Sequence, residues 1–409
     1  MCTLRILVQK FGGTSVATPE KRAMVAEKIL RAKNSGVNLV VVVSAMGRKG
    51  DPYATDTFIG MVKELAPEAD LRELDMLMSC GETISGILLS STLKNMGYAS
   101  CFLTGLQAGI VTDTKHGDAS ILRIDPQRIV EELQENKIVV VAGFQGVSEI
   151  GEITTLGRGG SDTTATALGV ALNAEAVEIY TDVDGVKTAD PKLVDNCKTL
   201  EQVTYSEVCQ LAYEGAKVVH PRAVEIAMQK NIPLMIKCTF NDNPGTLITC
   251  NSGTIERGSI SVADRPITGI THSTNITQIK VSITEGFLPK KVFNSLAVAG
   301  ISVDFITILP KLLLFTVKTE VAKKAIKIIE DLNLQVEVKD GCAKVATVGA
   351  GMTGIPGVVA KIVEALTDEN VEILQSADSY TSIWCLITED DLEKAVNALH
   401  KKFITKLEM

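Results

Sequence analysis

Hydrophobic residues between Arg5 and Lys237 occur in short runs that alternate with helical patterns. The runs are largely apolar and β-branched, without a polar residue at every second position, which is typical of strands buried on both faces. They predict strands at Arg5 to Val8, Asn38 to Val43, Tyr98 to Leu103, Lys137 to Ala142, Ala176 to Tyr180 and Pro233 to Lys237. The intervening patterns predict helices at Glu20 to Ala32, Leu71 to Lys94, Pro126 to Gln134, Asp162 to Leu172, Tyr205 to Ala212 and Pro221 to Gln229. This alternation indicates a three-layer α/β domain with a mainly parallel sheet.

The C-terminal part of the chain contains a weak internal duplication. The order βαββαβ appears first from Lys280 and again from Lys344, which predicts two ferredoxin-like units. The strands predicted for the first are Lys280 to Ile283, Ile301 to Ile308, Leu312 to Lys318 and Leu334 to Val338, and those for the second are Lys344 to Val348, Val371 to Gln375 and Ser382 to Ile387. The second unit lacks a convincing last strand, so we expect the spare strand Ile267 to Thr271 to complete it and to nest the first unit inside. The expected organisation is a large α/β domain at 1–250, a polar linker at 251–266, a first small domain at 278–340, and a second one formed by 267–275 and 342–409.

Charge and aromatic content exclude a nucleic-acid binder. The chain has 41 Lys and Arg residues against 49 Asp and Glu residues, a net charge of -8, and no clustered basic stripe. Aromatic residues make up only 4%, too few for base-stacking platforms.

The nine cysteines and four histidines are scattered singly. This pattern is typical of reduced core cysteines, and it predicts no metal site made of protein ligands. The N-terminus lacks the features of a signal peptide, and no apolar run approaches the roughly 18 to 20 residues that span a bilayer. We therefore expect a cytoplasmic protein.

Two glycine-rich segments are candidates for binding anions. The first strand leads into Lys10-Phe11-Gly12-Gly13, where glycines permit close backbone approach and Lys10 adds positive charge. The spacing is not that of a P-loop, and an ordinary strand-to-helix turn is the alternative. The second segment, Thr154 to Thr164, places glycines around Arg158 and opens a helix. Ser161 or Asp162 could serve as the helix cap, but capping does not explain so many glycine and small residues around an arginine. The remaining residues fit an anion pocket.

Two further features suggest ligand contacts. The polar loop Thr181 to Lys192 follows a parallel strand, at the sheet edge where nucleotides bind in open α/β folds, although a surface turn is the alternative. Glu82 lies on the apolar stripe of a long helix, so a buried Glu82 needs a cationic partner. A substrate ammonium and an internal Lys or Arg both remain open.

Six motifs, in this order, resemble those of the aspartokinases of the amino acid kinase family, and the resemblance spans essentially the whole chain. They are KFGGTSV at Lys10, SAMG at Ser44, CGETIS at Cys80, TLGRGGSDT at Thr155, YTDVDGV at Tyr180 and EGAKVVHPRA at Glu214. The segment SAMGRKGDPYATD is similar to the diaminopimelate-sensitive monofunctional isoform. The duplicated tail resembles a pair of ACT domains, which are amino-acid-binding modules.

The resemblance implies ATP- and Mg²⁺-dependent phosphorylation of the β-carboxylate of L-aspartate, the first step of lysine/diaminopimelate, threonine and methionine biosynthesis. It implies catalytic roles for Lys10 and Asp162 and substrate contacts from Ser44, Thr55, Glu82, Arg158, Gly159, Gly160 and Ser161. It implies ATP contacts from Lys10, Phe11, Gly12, Gly13, Thr181, Asp182, Lys187, Lys192 and Lys217, where Lys187 and Lys192 replace the Tyr and Arg frequent in the family.

The same resemblance implies feedback regulation and a homodimer formed through the ACT domains. The effector would be diaminopimelate, lysine or threonine, held by Asp304, Met352, Gln375, Ser376 and Asp378. Two alternatives stay open: another kinase of this fold acting on glutamate, acetylglutamate or a nucleoside monophosphate, and a catalytically silent amino-acid sensor. The segment Gly349 to Gly354 matches a dinucleotide-binding fingerprint, but too little chain follows it for a doubly wound domain, which argues against a dehydrogenase.

Overall fold

The structure is a computed structural model that describes residues 4–66, 68–216, 218–250, 267–283, 288–349, 352 and 355–405. The predicted linker at 251–266 lies outside these residues. The chain divides into two compact units. The first comprises Met1–Val186, Thr199–Ala212 and Lys217–Ser252, and the second comprises Lys187–Lys198, Tyr213–Ala216 and Gly253–Met409.

All the strands and helices predicted before Thr249 are present, with ends shifted by a few residues. In chain order the elements are β1 Ile6–Phe11, α1 Gly13–Val16, α2 Pro19–Asn34, β2 Asn38–Val43, α3 Thr55–Leu65, α4 Leu71–Asn95, β3 Ser100–Leu103, β4 Ile110–Thr112, β5 Ile121–Ile124, α5 Gln127–Gln134, β6 Ile138–Ala142, β7 Gln145–Ser148, β8 Ile153–Thr155, α6 Gly160–Ala171, β9 Ala176–Thr181, β10 Gln202–Thr204, α7 Tyr205–Tyr213, α8 Pro221–Lys230, β11 Leu234–Cys238 and β12 Thr246–Thr249.

The main sheet of the first unit has the order β10-β12-β11-β9-β1-β2-β6-β3 and is parallel except where β12 runs against β11. Its centre is β1, which pairs in parallel with β2 on one side and β9 on the other. The predicted fold class is confirmed. A second sheet, β5-β4-β7-β8, is not predicted by the sequence because its strands are only three or four residues long.

Helix α4 is the core helix behind much of the candidate site. Asp70 caps it by accepting a hydrogen bond from the Arg72 N–H at 2.8 Å. By length and composition α4 could cross a membrane, but half of its most apolar window is buried inside the protein, and its buried face carries Asp75 and Glu82. These buried carboxylates fit a core helix of a globular unit.

The second unit is built on one six-stranded antiparallel sheet with the order β14-β15-β13-β16-β18-β17. Its elements are β13 Gly269–Ser282, α9 Leu288–Val298, β14 Asp304–Leu309, β15 Leu312–Lys318, α10 Thr319–Glu330, β16 Val336–Val348, α11 Val358–Asp368, β17 Gln375–Asp378, β18 Ser382–Thr388 and α12 Leu392–Phe403. The spare strand pairs with the start of the second repeat, since Gly269 to Ser273 runs against Lys344 to Val348.

The prediction of separate strands for the two repeats is wrong. Single strands β13 and β16 run through both repeats. Each has an irregularity between the two strands that were predicted, where Asn275 in β13 and Gly341 in β16 adopt left-handed backbone conformations at φ 60° and 64°. Such bulges keep a strand continuous while bending it. Two strand positions are also corrected. The strand expected at Ile301 to Ile308 is Asp304–Leu309, and the one expected at Val371 to Gln375 is Gln375–Asp378.

Candidate active site

An ion pair between Lys10 and Asp162 lies at the centre of the candidate site. Alternation along β1 turns Phe11 towards the core cluster formed with α2 and α4, so Lys10 faces the opposite side of the sheet. There its Nζ lies 2.6 Å from Oδ1 of Asp162, in the first turn of α6. The two side chains are only 12% and 13% exposed. The two catalytic candidates are therefore held together, with the ammonium group fixed at the end of β1.

The glycine loop after β1 has a specific packing requirement at Gly13. A Cβ atom at Gly13 would lie 2.4 Å from the Ala45 carbonyl oxygen and 2.9 Å from that of Gly47, whereas a Cβ at Gly12 would make only ordinary contacts. The Gly12 N–H donates to the Tyr180 carbonyl at 3.3 Å. Gly13 is the first residue of α1, where a backbone N–H has no acceptor within the helix, so this amide can donate to a phosphate.

Glycines also shape the segment that carries Arg158. Gly157 and Gly159 have φ values of 70° and 67°, and a Cβ at Gly159 would lie 2.3 Å from Cβ of His220. A Cβ at Gly160 would lie 2.7 Å from the Phe144 ring. Arg158 is exposed between these glycines, and no ion pair of the described residues includes it. Its guanidinium is therefore available to a carboxylate ligand, and Ser161 lies buried just after it.

Glu82 is a buried carboxylate with half of its hydrogen-bonding capacity unused. It is 2% exposed, and its Oε1 accepts a hydrogen bond from the Ala45 N–H at 3.0 Å. Its Oε2 has no partner among the described residues, and none of their ion pairs includes Glu82. Burial raises the pKa of this carboxyl to about 8. A cationic ligand would therefore satisfy it, since no internal Lys or Arg does so in the described part of the chain.

The segment after β2 approaches Glu82 closely. A Cβ at Gly81 would lie 2.7 Å from Cβ of Ala45 and 3.1 Å from the Tyr53 carbonyl oxygen, so glycine lets this segment lie against α4. Ser44 begins the segment, and its N–H donates to the Phe11 carbonyl at 3.2 Å. Thr55 follows at the first position of α3, which the sequence did not predict. The substrate candidates Ser44, Thr55 and Glu82 are thus brought to the same end of the sheet as Lys10.

The nucleotide candidates outside the glycine loop are Thr181, Asp182, Lys187, Lys192 and Lys217. Thr181 ends β9 beside Tyr180, whose ring stacks on Phe11 at 4.6 Å, and Asp182 pairs with Arg48 at 2.6 Å on the surface. Lys187 and Lys192 belong to the second unit. Lys217 lies outside the described residues.

Family models match both units. The amino acid kinase family model matches residues 5–238, and an ACT domain model matches residues 337–401. The chain is 48% identical over 402 residues to aspartokinase 1 of Bacillus subtilis (strain 168), covering 98% of this chain and 99% of that one. It is 40% identical to an aspartokinase of Geobacillus stearothermophilus, covering 97% of both. The chain belongs to the aspartokinase family.

Solved aspartokinases have the same fold. The crystal structure of E. coli aspartokinase III in complex with aspartate and ADP, called its R-state, matches with a TM-score of 0.77 at 25% identity, over 97% of this chain and 99% of that one. The T-state of that enzyme, in complex with lysine and aspartate, matches with a TM-score of 0.76 at 25% identity, over 98% and 99%.

The effector candidates of this aspartokinase lie in three settings within the second unit. Gln375 on β17 binds β14, the strand that begins with Asp304, because its side-chain amide donates to the Phe305 carbonyl and to Thr307 Oγ1. Ser376 and Asp378 are exposed on the edge strand β17. Met352 is buried in a core cluster and is 4% exposed.

The sequence interpretation missed a buried charge cluster around Lys344 of β16. Lys344 Nζ lies 2.7 Å from Glu214 and 3.0 Å from Asp304, and 5.6 Å from the Trp384 ring centre. Burial disfavours its charge, but the two carboxylates outweigh this and raise the pKa of Lys344. A lone lysine inside the apolar run from Cys342 to Val348 was the sequence signal that could have identified it.

Proposed function

We propose that this aspartokinase transfers the γ-phosphoryl group of ATP to the β-carboxylate of L-aspartate, giving 4-phospho-L-aspartate and ADP. This reaction would open lysine/diaminopimelate, threonine and methionine biosynthesis in the cytoplasm. The observation that carries the proposal is the Lys10–Asp162 ion pair, which lies at the end of β1, where the chain enters the glycine pair Gly12-Gly13.

The chemistry needs charge neutralisation and alignment more than proton transfer. The β-carboxylate of aspartate is ionised at pH 7, so it attacks phosphorus without a general base. The obstacle is the repulsion between a dicarboxylate and a triphosphate. Lys10 and the Gly13 N–H stabilise the transferring phosphoryl group, and Asp162 orients Lys10. A carboxylate oxygen forms the new bond to phosphorus while the bond to the ADP oxygen breaks.

Recognition of aspartate is assigned to groups of opposite charge. The buried carboxylate of Glu82 takes the ammonium group, and the exposed guanidinium of Arg158 takes a carboxylate. The remaining substrate-lining residues are Ser44, Thr55, Gly159, Gly160 and Ser161. A neutral or acylated amine, as in acetylglutamate, would leave Glu82 buried without a partner, which disfavours such substrates.

ATP is assigned to Lys10, Phe11, Gly12, Gly13, Thr181, Asp182, Lys187, Lys192 and Lys217. The described residues contain no group of three or more His, Cys, Asp or Glu side chains able to hold a metal ion. Mg²⁺ characteristically keeps several waters and binds through substrate phosphates with one or two carboxylates. This fits a Mg²⁺ ion that arrives on ATP, where it neutralises phosphate charge.

Regulation is assigned to two ACT domains, at 278–340 and at 267–275 with 342–409, in a homodimer. An amino acid effector, whether diaminopimelate, lysine or threonine, would offer an ammonium group to the carboxylates Asp304 and Asp378. Gln375, Ser376 and Met352 complete the proposed effector site. The lysine complex of the E. coli relative supports a ligand of this class. Titration of each amino acid against activity identifies the effector.

A substrate panel tests the proposed reaction. Aspartate, glutamate, acetylglutamate and UMP are each incubated with MgATP, ADP release is followed, and the acyl phosphate is trapped as its hydroxamate. We expect ADP release and hydroxamate with aspartate only. ADP release with another acceptor, or none with aspartate, would contradict the proposal.

A further inference from the structure

Asp75 is a fully buried carboxylate of the first unit. It lies on α4 and is 0% exposed, yet it accepts hydrogen bonds from three donors. The Gly117 N–H lies 3.1 Å from both of its oxygens, Nδ1 of His116 lies 2.9 Å from Oδ2, and the Thr155 hydroxyl donates to Oδ1. The Asp75 carboxylate is thus bound by two segments that are distant in sequence, one at His116-Gly117 and the other at Thr155.

The segments at His116-Gly117 and at Thr155 pack against each other where the loop that carries Arg158 begins. Thr155 precedes Arg158 by three residues, and its carbonyl accepts a hydrogen bond from the Ala119 N–H at 2.8 Å. A Cβ at Gly157 would lie 2.8 Å from Asp118 Oδ1 and 3.3 Å from the Gly117 carbonyl oxygen. The loop around Gly117 therefore packs directly against Gly157, and the Asp75 carboxylate links the two segments.

Asp75 also shares its helix face with Glu82. The two residues are seven positions apart, which places them on the same stripe of α4, about 10 Å apart along the helix axis. A single rigid helix thus carries Glu82 itself and the anchor of the segment that presents Arg158. Displacement of this anchor would move Arg158 relative to Glu82.

We propose that Asp75 is a positioning residue for recognition of the amino acid substrate. It acts through Thr155 and the His116-Gly117 loop to hold Arg158 at a fixed place relative to Glu82. This inference rests on the proposed function, in which Arg158 and Glu82 bind the two charged ends of aspartate. It gives Asp75 no contact with ATP.

The chemistry of the donors requires a carboxylate at this position. Oδ1 and Oδ2 each accept from the Gly117 N–H, and each accepts from a second donor as well. Asparagine has nearly the same shape but replaces one acceptor with an NH₂ group, which would face a donor. The substitution Asp75→Asn therefore changes the hydrogen bonds with little change in volume.

The test compares Michaelis constants for both substrates in the full-length protein. For Asp75→Asn we expect the KM for aspartate to rise about tenfold or more, as for loss of a charge-assisted hydrogen bond that positions a ligand group. The KM for ATP should stay within about twofold, because no ATP contact is displaced. His116→Ala is a milder variant, since it leaves the Gly117 and Thr155 bonds in place.

Rescue by a conservative variant separates positioning from a general loss of stability. The amide nitrogen of asparagine can take the place of Nδ1 of histidine. We therefore expect His116→Asn to have a KM for aspartate close to that of the wild type, below the raised KM of His116→Ala. Equal increases in both KM values, or an unchanged aspartate KM in Asp75→Asn and His116→Ala, would overturn the inference alone. A wild-type protein that does not phosphorylate aspartate would overturn the proposed function and this inference with it.

Discussion

Glu214 and Lys344 form a buried ion pair in the second unit, with Oε2 and Nζ 2.7 Å apart and side chains 7% and 10% exposed. Glu214 belongs to the segment Tyr213–Ala216, which directly precedes Lys217 in the chain. This segment packs against the backbone of β13, because a Cβ at Gly215 would lie within 1.9 Å of the His272 carbonyl oxygen. Lys344 also pairs with Asp304, an effector candidate. The segment Tyr213–Ala216, which precedes a nucleotide candidate in the chain, therefore packs on the sheet of the second unit.

Removal of the lysine from this pair should destabilise the protein. Lys344→Met removes the ammonium group that lies 2.7 Å from the buried carboxylate of Glu214, and breaking a buried ion pair on one side costs about 3–5 kcal/mol. The double variant Lys344→Met with Glu214→Gln removes both charges and should recover much of that loss. Chemical unfolding measures the difference, with exposed Lys327 as the matched control: Lys327→Met should change stability by less than about 0.5 kcal/mol. Equal stabilities of Lys344→Met and Lys327→Met would contradict this prediction.

The pKa of Glu82 predicts the pH dependence of aspartate binding. Burial raises this pKa to about 8, and only the ionised carboxylate attracts an ammonium group. The KM for aspartate should therefore fall as pH rises from 6.5 to 8, by up to roughly tenfold per pH unit, and then level off. Glu82→Gln should raise the KM and remove this dependence. A wild-type profile that is flat over this range would count against Glu82 as the ammonium ligand.

The same shift predicts an effect on stability. The folded state favours the neutral carboxyl, while the unfolded chain ionises near the ordinary value of 4.5. The stability that this preference contributes is present below pH 4.5 and is lost as pH rises through about 8. Glu82→Gln lacks this loss, so its Tm should exceed that of the wild type by several degrees at pH 8.5 and approach it at pH 5. The opposite ordering at pH 8.5 would show that Glu82 has a compensating partner.

The two glycines of the phosphate loop should tolerate alanine very differently. A Cβ at Gly13 would collide with two backbone carbonyl oxygens, which cannot move as a side chain can, whereas a Cβ at Gly12 lies 3.7 Å from its nearest neighbour. Gly13→Ala should lose about 1–3 kcal/mol of stability, and Gly12→Ala less than about 0.5 kcal/mol. Thermal unfolding without nucleotide measures both. Similar losses in the two variants would show that the backbone around Ala45 can relax.

The elements most accessible to sequence reasoning are those whose signal is local. The continuous apolar run of β2, Asn38–Val43, predicts a buried parallel strand because four of its five consecutive apolar residues are β-branched valines, which favour a strand covered on both faces. The separate strands expected in the second unit were wrong because β13 and β16 continue through bulges at Asn275 and Gly341, and composition does not separate a bulge from a turn. Helix α3 was missed because it follows a turn-rich segment, and Phe58 is its only buried residue.

The residues of the candidate site were likewise identifiable from sequence only where their signal is local. Lys10 and Asp162 are identifiable because each lies in a glycine-rich motif at the end of a strand or the start of a helix. Asp75 and Lys344 were missed because their significance depends on partners distant in sequence: Thr155 for Asp75, and Glu214 and Asp304 for Lys344. Only tertiary structure shows that these partners converge on one buried charge.

The most direct test of the account is the steady-state kinetics of Lys10→Ala with aspartate and MgATP. The matched control is Lys230→Ala, which removes an exposed lysine at the end of α8. If Lys10 neutralises the transferring phosphoryl group, kcat should fall by at least about a hundredfold in Lys10→Ala and stay unchanged in Lys230→Ala. Thermal unfolding confirms that both proteins are folded. A folded Lys10→Ala protein with wild-type kcat would contradict the account.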